Sequence, residues 1–136
     1  MAAHVYIVPD ETAKKLAYGN LLDVFSNRDA QSRLVAVKET YHADVTFYGP
    51  DAIHTGHDAV NAEAQKLLDD RPGWAFAPQG SVTKNHDMLY LAWGFGPVGD
   101  DGLVNVRTRG ADVLIVEQGK VKKFWVIIEG ITDVKG

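Results

Sequence analysis

The chain contains no cysteine, which excludes disulfides, thiolate nucleophiles and zinc sites built on cysteine. It has no basic surplus, since the formal net charge at pH 7 is -4, so we expect no nucleic-acid partner. No apolar run approaches the length of a membrane span, and the opening MAAHVYIVPDE is too short and too polar for a secretion signal. These absences predict a soluble, cytoplasmic protein with no membrane partner.

The composition is that of a globular protein. Hydrophobic residues make up 46% of the chain and charged residues 24%, a balance that supports a packed core. A chain of 136 residues fits one domain and leaves little room for a second. We therefore predict a single domain over 1–136, with its core over about 13–130.

Three helices are predicted in the first half of the chain. They lie between Asp10 and Ser26-Asn27, between Asp29 and Tyr41, and between Thr55 and Arg71-Pro72-Gly73. On the second helix, Leu34, Val37 and Tyr41 recur about one turn apart and are expected to be buried. Thr55 and Asp58 resemble a capping box that opens the third helix.

Strands dominate the second half. Asn85-His86-Asp87, Gly99-Asp-Asp-Gly102 and Gln118-Gly119 separate β-rich segments and are typical of hairpin turns. In the longest segment both faces are mostly apolar, which indicates that helices cover one face and a partner covers the other. Helices first and an antiparallel sheet second predict an α+β domain.

Asp112 is the residue on which a functional interpretation depends. It stands at the head of an otherwise apolar strand in GADVLIVEQGKVKKFWVIIE, where a buried carboxylate must be satisfied by partners or used for chemistry. If apolar neighbours such as Leu114, Val116 and Val126 surround it, desolvation raises its pKa and keeps it protonated as a proton donor. The alternative is a structural aspartate that accepts backbone amides or an arginine.

Two arginines precede Asp112 on the same strand. Strict alternation puts Arg107 and Arg109 on the face opposite Asp112 unless Gly110 makes a bulge. With a bulge, either arginine can pair with the carboxylate. Without one, Asp112 must find another donor.

Other side chains are candidates for the same site. His54 carries an imidazole, the side chain most suited to acid–base work near neutral pH, and Tyr18 carries a hydroxyl beside the apolar stripe of the first helix. Both join Asp112 as catalytic candidates, although His54 also suits a surface loop. His86 lies in a predicted turn and is expected to contact the substrate. The remaining expected substrate contacts are apolar or aromatic: Trp93, Phe95, Phe47, Tyr48, Val126, Phe124 and Leu114.

No cofactor or metal site is predicted. His54 and His57 lack a helical setting and a third ligand, and the glycines of GFGPVGDDG lie in a hairpin and not between a strand and a helix. Ser81 is not on a nucleophile elbow.

Several segments together resemble a known family. Three short helices, ADVTFYGP, IHTGHDAV, LAWGFGP and DVLIVEQGKVKKFWVIIEG look like the SnoaL-like branch of the nuclear-transport-factor-two-like superfamily, over about residues 13–130. The resemblance implies a curved antiparallel sheet wrapped by helices into a cone with an apolar pocket. It also implies a homodimer formed through the outer sheet face, where alternation places Trp125 and Ile127.

The catalytic residues of relatives transfer only in part. Asp112 corresponds to the acid that ketosteroid isomerase places at the head of its penultimate strand. The same enzyme's general base falls at Phe47 or Tyr48 and its helix-one tyrosine falls at Leu21 or Leu22, so neither is reproduced. The aspartate of polyketide cyclases falls at Val126.

Two functions follow from these residues. The first is a cofactor-independent enzyme, such as an isomerase, cyclase, dehydratase or epoxide-opening enzyme, that moves a proton on a small hydrophobic molecule. The alternative is a non-catalytic dimeric module of the same fold that binds a small ligand or assists assembly.

Overall fold

The structure is a computed structural model that describes residues 6–136. His4 and the other residues of the predicted domain before residue 6 lie outside the described residues.

Three helical regions occupy the first half of the described chain. Helix α1 (Asp10–Tyr18) runs directly into a π-helical segment (Gly19–Phe25), and helices α2 (Ala30–Thr40) and α3 (His57–Asp70) follow. The predicted stop at Ser26 is confirmed, because Ser26 ends the π-helical segment. The predicted start of α2 is confirmed too, since the Asp29 carboxylate accepts the backbone N–H of Ser32 at 3.2 Å.

Two details of the predicted helices are wrong. Leu34 is 41% exposed, and Arg33 takes the buried position on α2. The capping box at Thr55 and Asp58 does not form, because Gly56 precedes α3 with a φ of 91° and Thr55 is paired in a strand with Thr46. Glycine adopts a positive φ readily, and this conformation at Gly56 directs the chain so that Thr55 cannot cap α3.

Seven strands form one curved, unclosed sheet. They are β1 (Tyr41–Tyr48), β2 (Ile53–Thr55), β3 (Trp74–Pro78), β4 (Thr83–Asn85), β5 (Met88–Pro97), β6 (Thr108–Glu117) and β7 (Lys120–Ile128). Their order is β2-β1-β7-β6-β5-β3, and β4 pairs with β5. The predicted α+β fold is confirmed. The sheet is mixed and not purely antiparallel, because β1 and β7 run parallel.

Tight turns join the strands where the sequence predicts them. His86 lies in the β4–β5 turn with a φ of 56°, and Gln118 and Gly119 join β6 to β7 with φ values of 51° and 78°. Two successive positive φ values are those of a type I′ turn, whose twist matches the flanking strands.

The helices cover one face of the sheet, and no other element of residues 6–136 covers the opposite face. On β5, Leu89, Leu91, Trp93 and Phe95 are buried in the core cluster shared with the helices. The opposite face of β5 carries Met88 and Tyr90, which are 38% and 41% exposed. The described residues therefore contain one core, on one face of the sheet.

A buried arginine fixes α3 against α2. Arg33 is 1% exposed, and its guanidinium donates to the side-chain oxygen of Asn61 and the carbonyl of Asn27 at 2.8 Å each, and to the side chain of Gln65. Gln65 donates in turn to the Asp69 carboxylate at 2.8 Å. The buried cation of α2 is thus satisfied by two side-chain oxygens of α3 and by one carbonyl just before α2, which positions the α3 wall of the site.

Candidate active site

Asp112 points from β6 into the core side of the sheet. It pairs with Leu91 on β5 and Val126 on β7 in a continuous register, and it is 5% exposed. The β5–β6 register shows no shift between Thr108 and Ile115. Strict alternation therefore holds, and no bulge forms at Gly110.

Two neutral side chains hold the Asp112 carboxyl group. The indole Nε1 of Trp93 donates to Oδ1 at 3.0 Å, and Nδ2 of Asn20 donates to Oδ2 at 3.1 Å. The alternative in which an arginine pairs with Asp112 is wrong, because Arg109 lies on the opposite face and donates to the side chain of Gln79. Asp112 is thus a buried acid whose hydrogen-bonding side chains carry no charge.

Gly110 makes room for the Trp93 indole. It lies directly opposite Trp93 in the β5–β6 register, and a β-carbon there would lie 2.5 Å from Cζ2 of the indole. The ring lies over the glycine and reaches Asp112, two residues farther along β6. A glycine at this position is therefore required for close approach of the ring.

The π-helical segment supplies the second donor. Asn20 is 1% exposed, and its Oδ1 accepts the hydroxyl of Tyr41 while its Nδ2 faces Asp112. Tyr41 is fully buried, and its ring stacks on Phe124 with centroids 5.2 Å apart. Single π-helical turns often occur at functional sites, because the extra residue re-aims side chains.

Burial sets the proton affinity of the site. Burial raises the pKa of Asp112 to about 7, against the opposing effects of the hydrogen bonds from Trp93 and Asn20. Burial also raises the pKa of Tyr41 well above its ordinary value, and the negative charge of Asp112 adds to that rise. Near pH 7 the Asp112 carboxyl group can therefore both accept and donate a proton.

Asp112 forms part of the wall of a cavity of about 240 Å³. The walls are mainly aromatic and aliphatic: Leu21, Phe25, Phe47, Leu67, Trp74, Phe76, Trp93, Phe95, Phe124, Val126 and Ile128. Such a space suits a small, largely apolar molecule. Stacked aromatic rings shape the cavity. The ring centroids of Phe76 and Phe95 lie 4.2 Å apart, and those of Phe47 and Phe124 lie 4.4 Å apart.

Charged side chains border the same cavity on the α3 side. Glu63, Asp70 and Arg71 all line it, and the Arg71 guanidinium lies 5.5 Å from the centroid of the Trp74 ring. Nε2 of His54 lies 3.6 Å from the Glu63 carboxylate. The polar groups of this border and Asp112 thus line one cavity.

The family of the chain follows from its sequence match. Residues 20–124 match the SnoaL-like domain, which is more than half of the chain. The chain belongs to the SnoaL-like domain family. No curated protein matches the sequence.

Solved structures of the same fold are similar in shape at low identity. A candidate isomerase of the SnoaL-like family from Agrobacterium tumefaciens has 16% identity and a TM-score of 0.78, covering 88% of this chain and 99% of that one. A candidate polyketide cyclase from Sinorhizobium meliloti has 14% identity and a TM-score of 0.61, covering 88% and 94%. A de novo designed protein with a curved β-sheet has 11% identity and a TM-score of 0.66, covering 90% and 89%. A designed protein among these neighbours makes clear that the shape alone carries no function.

Within this SnoaL-like chain, the cavity brings together several residues that the sequence predicts to act together. Asp112 lines it with Trp93, Phe95, Phe47, Phe124 and Val126. The strand alternation that predicts this grouping is the same alternation that sends Trp125 and Ile127 to the opposite face.

Other predicted site residues lie elsewhere, which corrects the expected lining. Leu114 is fully buried in the core beyond the cavity, and His86 is exposed in its hairpin turn. Tyr48 lies on the opposite face of the sheet and stacks on Trp125 with centroids 4.8 Å apart. Tyr18 packs against the core without lining the cavity.

His54 lies next to the cavity without lining it. Its imidazole stacks on Phe47 with centroids 5.7 Å apart and faces Glu63, and both of these neighbours line the cavity. Strand β2, which holds His54, thus puts its imidazole behind the wall of the cavity. Any effect of His54 on a ligand acts through Glu63 or Phe47.

Asn20 and Tyr41 are the site residues that the sequence analysis missed. Asn20 falls at helical spacing with Leu16 and Val24, inside the apolar stripe of the first helix. A lone amide in a buried stripe requires hydrogen-bond partners, so this spacing was an available signal. Tyr41 was predicted to be buried, but its hydroxyl partner was not.

Over residues 6–136, no group of three or more histidine, aspartate or glutamate side chains is placed to hold a metal ion. No helix in that range is long and apolar enough to cross a membrane.

Proposed function

We propose that this SnoaL-like protein is a cofactor-independent enzyme in which Asp112 transfers a proton to or from a small, largely apolar molecule in the cavity. One observation carries the proposal: a nearly buried carboxyl group, held by neutral donors, lies in the wall of a cavity lined mainly by aromatic rings. An acid in an apolar site that binds and releases a proton near neutral pH suits general acid–base catalysis.

The surroundings of Asp112 favour a reversible role. Trp93 and Asn20 stabilise the carboxylate by donating to one oxygen each, while burial favours the neutral acid. Neither form is strongly excluded, so the group can take a proton from one atom of a substrate and return it to another. Isomerisation uses both transfers on one substrate, whereas cyclisation, dehydration and epoxide opening need a proton transfer to or from the substrate or its water.

Glu63 is the second ionisable group that we assign to the reaction. It lines the cavity from α3, and His54 lies 3.6 Å from its carboxylate. A reaction that moves a proton between two positions of a substrate benefits from acid–base groups on different walls. His54 then orients the Glu63 carboxylate.

The alternative is a binding module without turnover, and one observation favours it. Both oxygens of Asp112 already accept hydrogen bonds, as they do in an aspartate that serves only the fold. Under this alternative a ligand occupies the cavity and the carboxyl group does no chemistry.

A general-base probe tests the proposed enzyme against the binding module. The probe is 5-nitrobenzisoxazole, in which removal of the ring C–H proton breaks the N–O bond and releases a coloured nitrile phenolate. We expect wild-type turnover to rise with pH through about 7, because the carboxylate is the reactive form. Asp112→Asn should lower the rate by about 100-fold. Glu117→Gln, on the exposed end of β6, is the matched control and should leave the rate unchanged.

Turnover that persists in Asp112→Asn would contradict the proposal. Saturable binding of the probe without wild-type turnover would favour the binding module instead.

We also propose that the protein is a homodimer that pairs through the outer sheet face. An apolar row runs straight across four strands on that face, from Tyr90 through Val113 and Trp125 to Tyr48. Ile127 lies beside the row and is 49% exposed. Exposed apolar rows of this kind are typical of interfaces between subunits.

Sedimentation analysis tests this pairing. Wild type is expected to sediment as a dimer, and Ile127→Glu as a monomer, because a charge within the contact must be desolvated. Asp133→Lys, in the exposed C-terminal turn, is the control and should leave the dimer intact. A monomeric wild type would contradict the proposal. The cytoplasmic location stays a prediction.

A further inference from the structure

The hydroxyl of Tyr41 has one hydrogen-bond acceptor among the described residues, and that acceptor belongs to the candidate site. It donates to Oδ1 of Asn20, whose Nδ2 donates to Asp112. Tyr41 is fully buried, so water does not substitute for this acceptor. The orientation of the Asn20 amide is therefore linked to the tyrosine on one side and to the acid on the other.

The Asn20 amide has two possible orientations, and each suits a different form of Asp112. With Nδ2 towards Asp112, the amide donates to the carboxyl group and stabilises the ionised form. With the amide reversed, its oxygen would accept a proton from the neutral acid and stabilise that form. In the reversed state, however, the Tyr41 hydroxyl would lose its acceptor inside the core, which is unfavourable.

We propose that Tyr41 is a positioning residue that fixes the Asn20 amide as a donor and so favours the ionised form of Asp112. The tyrosine does not contact the cavity. It acts through Asn20 alone, and it makes the carboxylate a better proton acceptor near neutral pH. The proposal rests on the acid–base role of Asp112 for its functional meaning.

No ionisable side chain among the described neighbours of Asp112 is hydrogen-bonded to it, so the Asn20 amide is the group whose orientation can change. β5 and β7 present Trp93 and Val126, which are not ionisable, and β1 presents Tyr41. From α3 and its end, Glu63, Asp70 and Arg71 line the same cavity, and none of the three is hydrogen-bonded to Asp112. The buried tyrosine itself stays protonated, because its pKa is raised well above the ordinary value.

The titration of Asp112 can be read without turnover. The chain has three tryptophans, so only three indole N–H signals are expected in a nitrogen–proton correlation spectrum. The Trp93 signal reports directly on the charge of Asp112, to which its Nε1–H donates. The signal that stops titrating in Asp112→Asn is assigned to Trp93.

Tyr41→Phe is the first variant. It removes one oxygen and keeps the ring that stacks on Phe124. We expect the midpoint of the Trp93 titration to rise by about one pH unit, because the amide is then free to reverse. Tyr48→Phe is the matched control, because Tyr48 belongs to the same strand but stacks on Trp125 on the opposite face of the sheet. In this variant the midpoint of the Trp93 titration should equal that of wild type.

A double variant separates positioning from a general disturbance of the core. Asn20→Ala alone removes the donor and should also raise the midpoint. If Tyr41 acts through Asn20, Tyr41→Phe added to Asn20→Ala should produce no further rise, because the two changes remove the same interaction. The two side-chain N–H signals of Asn20 in wild type should move with the same midpoint as the Trp93 signal.

Three results would overturn the proposal. These are an unchanged midpoint in Tyr41→Phe, an equal further rise in the Asn20→Ala background, and Asn20 signals that stay fixed while the Trp93 signal titrates. The wild-type midpoint bears on the proposed function, whereas the difference between variants bears on Tyr41, so the two can fail separately.

Discussion

Between pH 5 and pH 8, the free energy of unfolding of the wild-type protein is expected to fall by about 3 kcal/mol relative to that of Asp112→Asn. The reason is that the folded protein keeps a proton that the unfolded chain has lost. Burial raises the pKa of Asp112 to about 7, while the ordinary value is 3.8. Folding thus favours the neutral acid over that window.

The sign follows from where the proton is held. Well below pH 3.8 the carboxyl group is neutral in both states and Asp112 adds no pH dependence. As pH rises towards 7, the unfolded chain ionises freely but the folded protein does not, so stability decreases by about 1.4 kcal/mol for each pH unit. Of the range from pH 3.8 to about pH 7, about two pH units lie above pH 5. Stability stops falling once the carboxyl group of the folded protein ionises.

Urea unfolding at several pH values measures the difference. Asp112→Asn removes the ionisable group, and it offers one acceptor oxygen to the two donors Trp93 and Asn20. It should therefore be less stable than wild type at pH 5 by about 1–3 kcal/mol, and this deficit should shrink or reverse by pH 8. A constant difference across the range would mean that Asp112 titrates at its ordinary pKa.

Asp44→Asn is the matched control for this experiment. Asp44 is on the surface, where the hydrogen bond from Lys122 lowers its pKa. Stability that it contributes is lost only as pH falls through its lowered pKa, below the window from pH 5 to pH 8. The pH dependence of this variant should match that of wild type.

Gly110→Ala is expected to lower the free energy of unfolding by about 3 kcal/mol. The added β-carbon would lie 2.5 Å from Cζ2 of Trp93 and 2.4 Å from the carbonyl oxygen of Ile127. The indole must move to relieve the first contact, and the β6 and β7 backbones must shift to relieve the second. Alanine would otherwise stabilise a strand slightly relative to glycine, and the steric clash outweighs that gain.

Moving the indole also breaks the hydrogen bond to Asp112. The Trp93 Nε1–H then loses its buried acceptor, and the carboxylate loses one of its two donors. Gly110→Ala should therefore raise the pKa of Asp112 as well as lower the melting temperature. Thermal unfolding and the pH titration of Asp112 measure the two effects on one sample.

A second variant identifies the clash as the cause. Trp93→Phe shortens the ring that Gly110 accommodates, so Gly110→Ala should lower stability less in that background than in wild type. Equal losses in both backgrounds would place the effect in the strand backbone and not in the contact with Trp93.

Much of the fold could be predicted because its signals are local. Asp29 at the start of α2 and Gln118-Gly119 between β6 and β7 are residues whose own backbone or side-chain preferences set an element boundary. The burial of Asp112 follows from alternation along one apolar strand. These features need no knowledge of distant residues.

The features that were missed depend on distant contacts. The parallel pairing of β1 with β7 joins segments about 80 residues apart, and no local pattern specifies it. Thr55 carries a capping-box spacing that pairing with Thr46 overrides. The π-helical turn brings Asn20 to Asp112, and this hydrogen bond depends on a residue of β6 that is 92 positions away in the sequence. The acid could therefore be predicted from sequence, but its pairing with the donors Asn20 and Trp93 could not.

The most direct test of the account is a carbon-13 titration of the Asp112 carboxyl group in the folded wild-type protein, with Asp112→Asn used to assign the signal. The account predicts a single transition with a midpoint at about pH 7. A midpoint near 4, the ordinary value for an exposed aspartate, would contradict a buried acid–base group in this cavity.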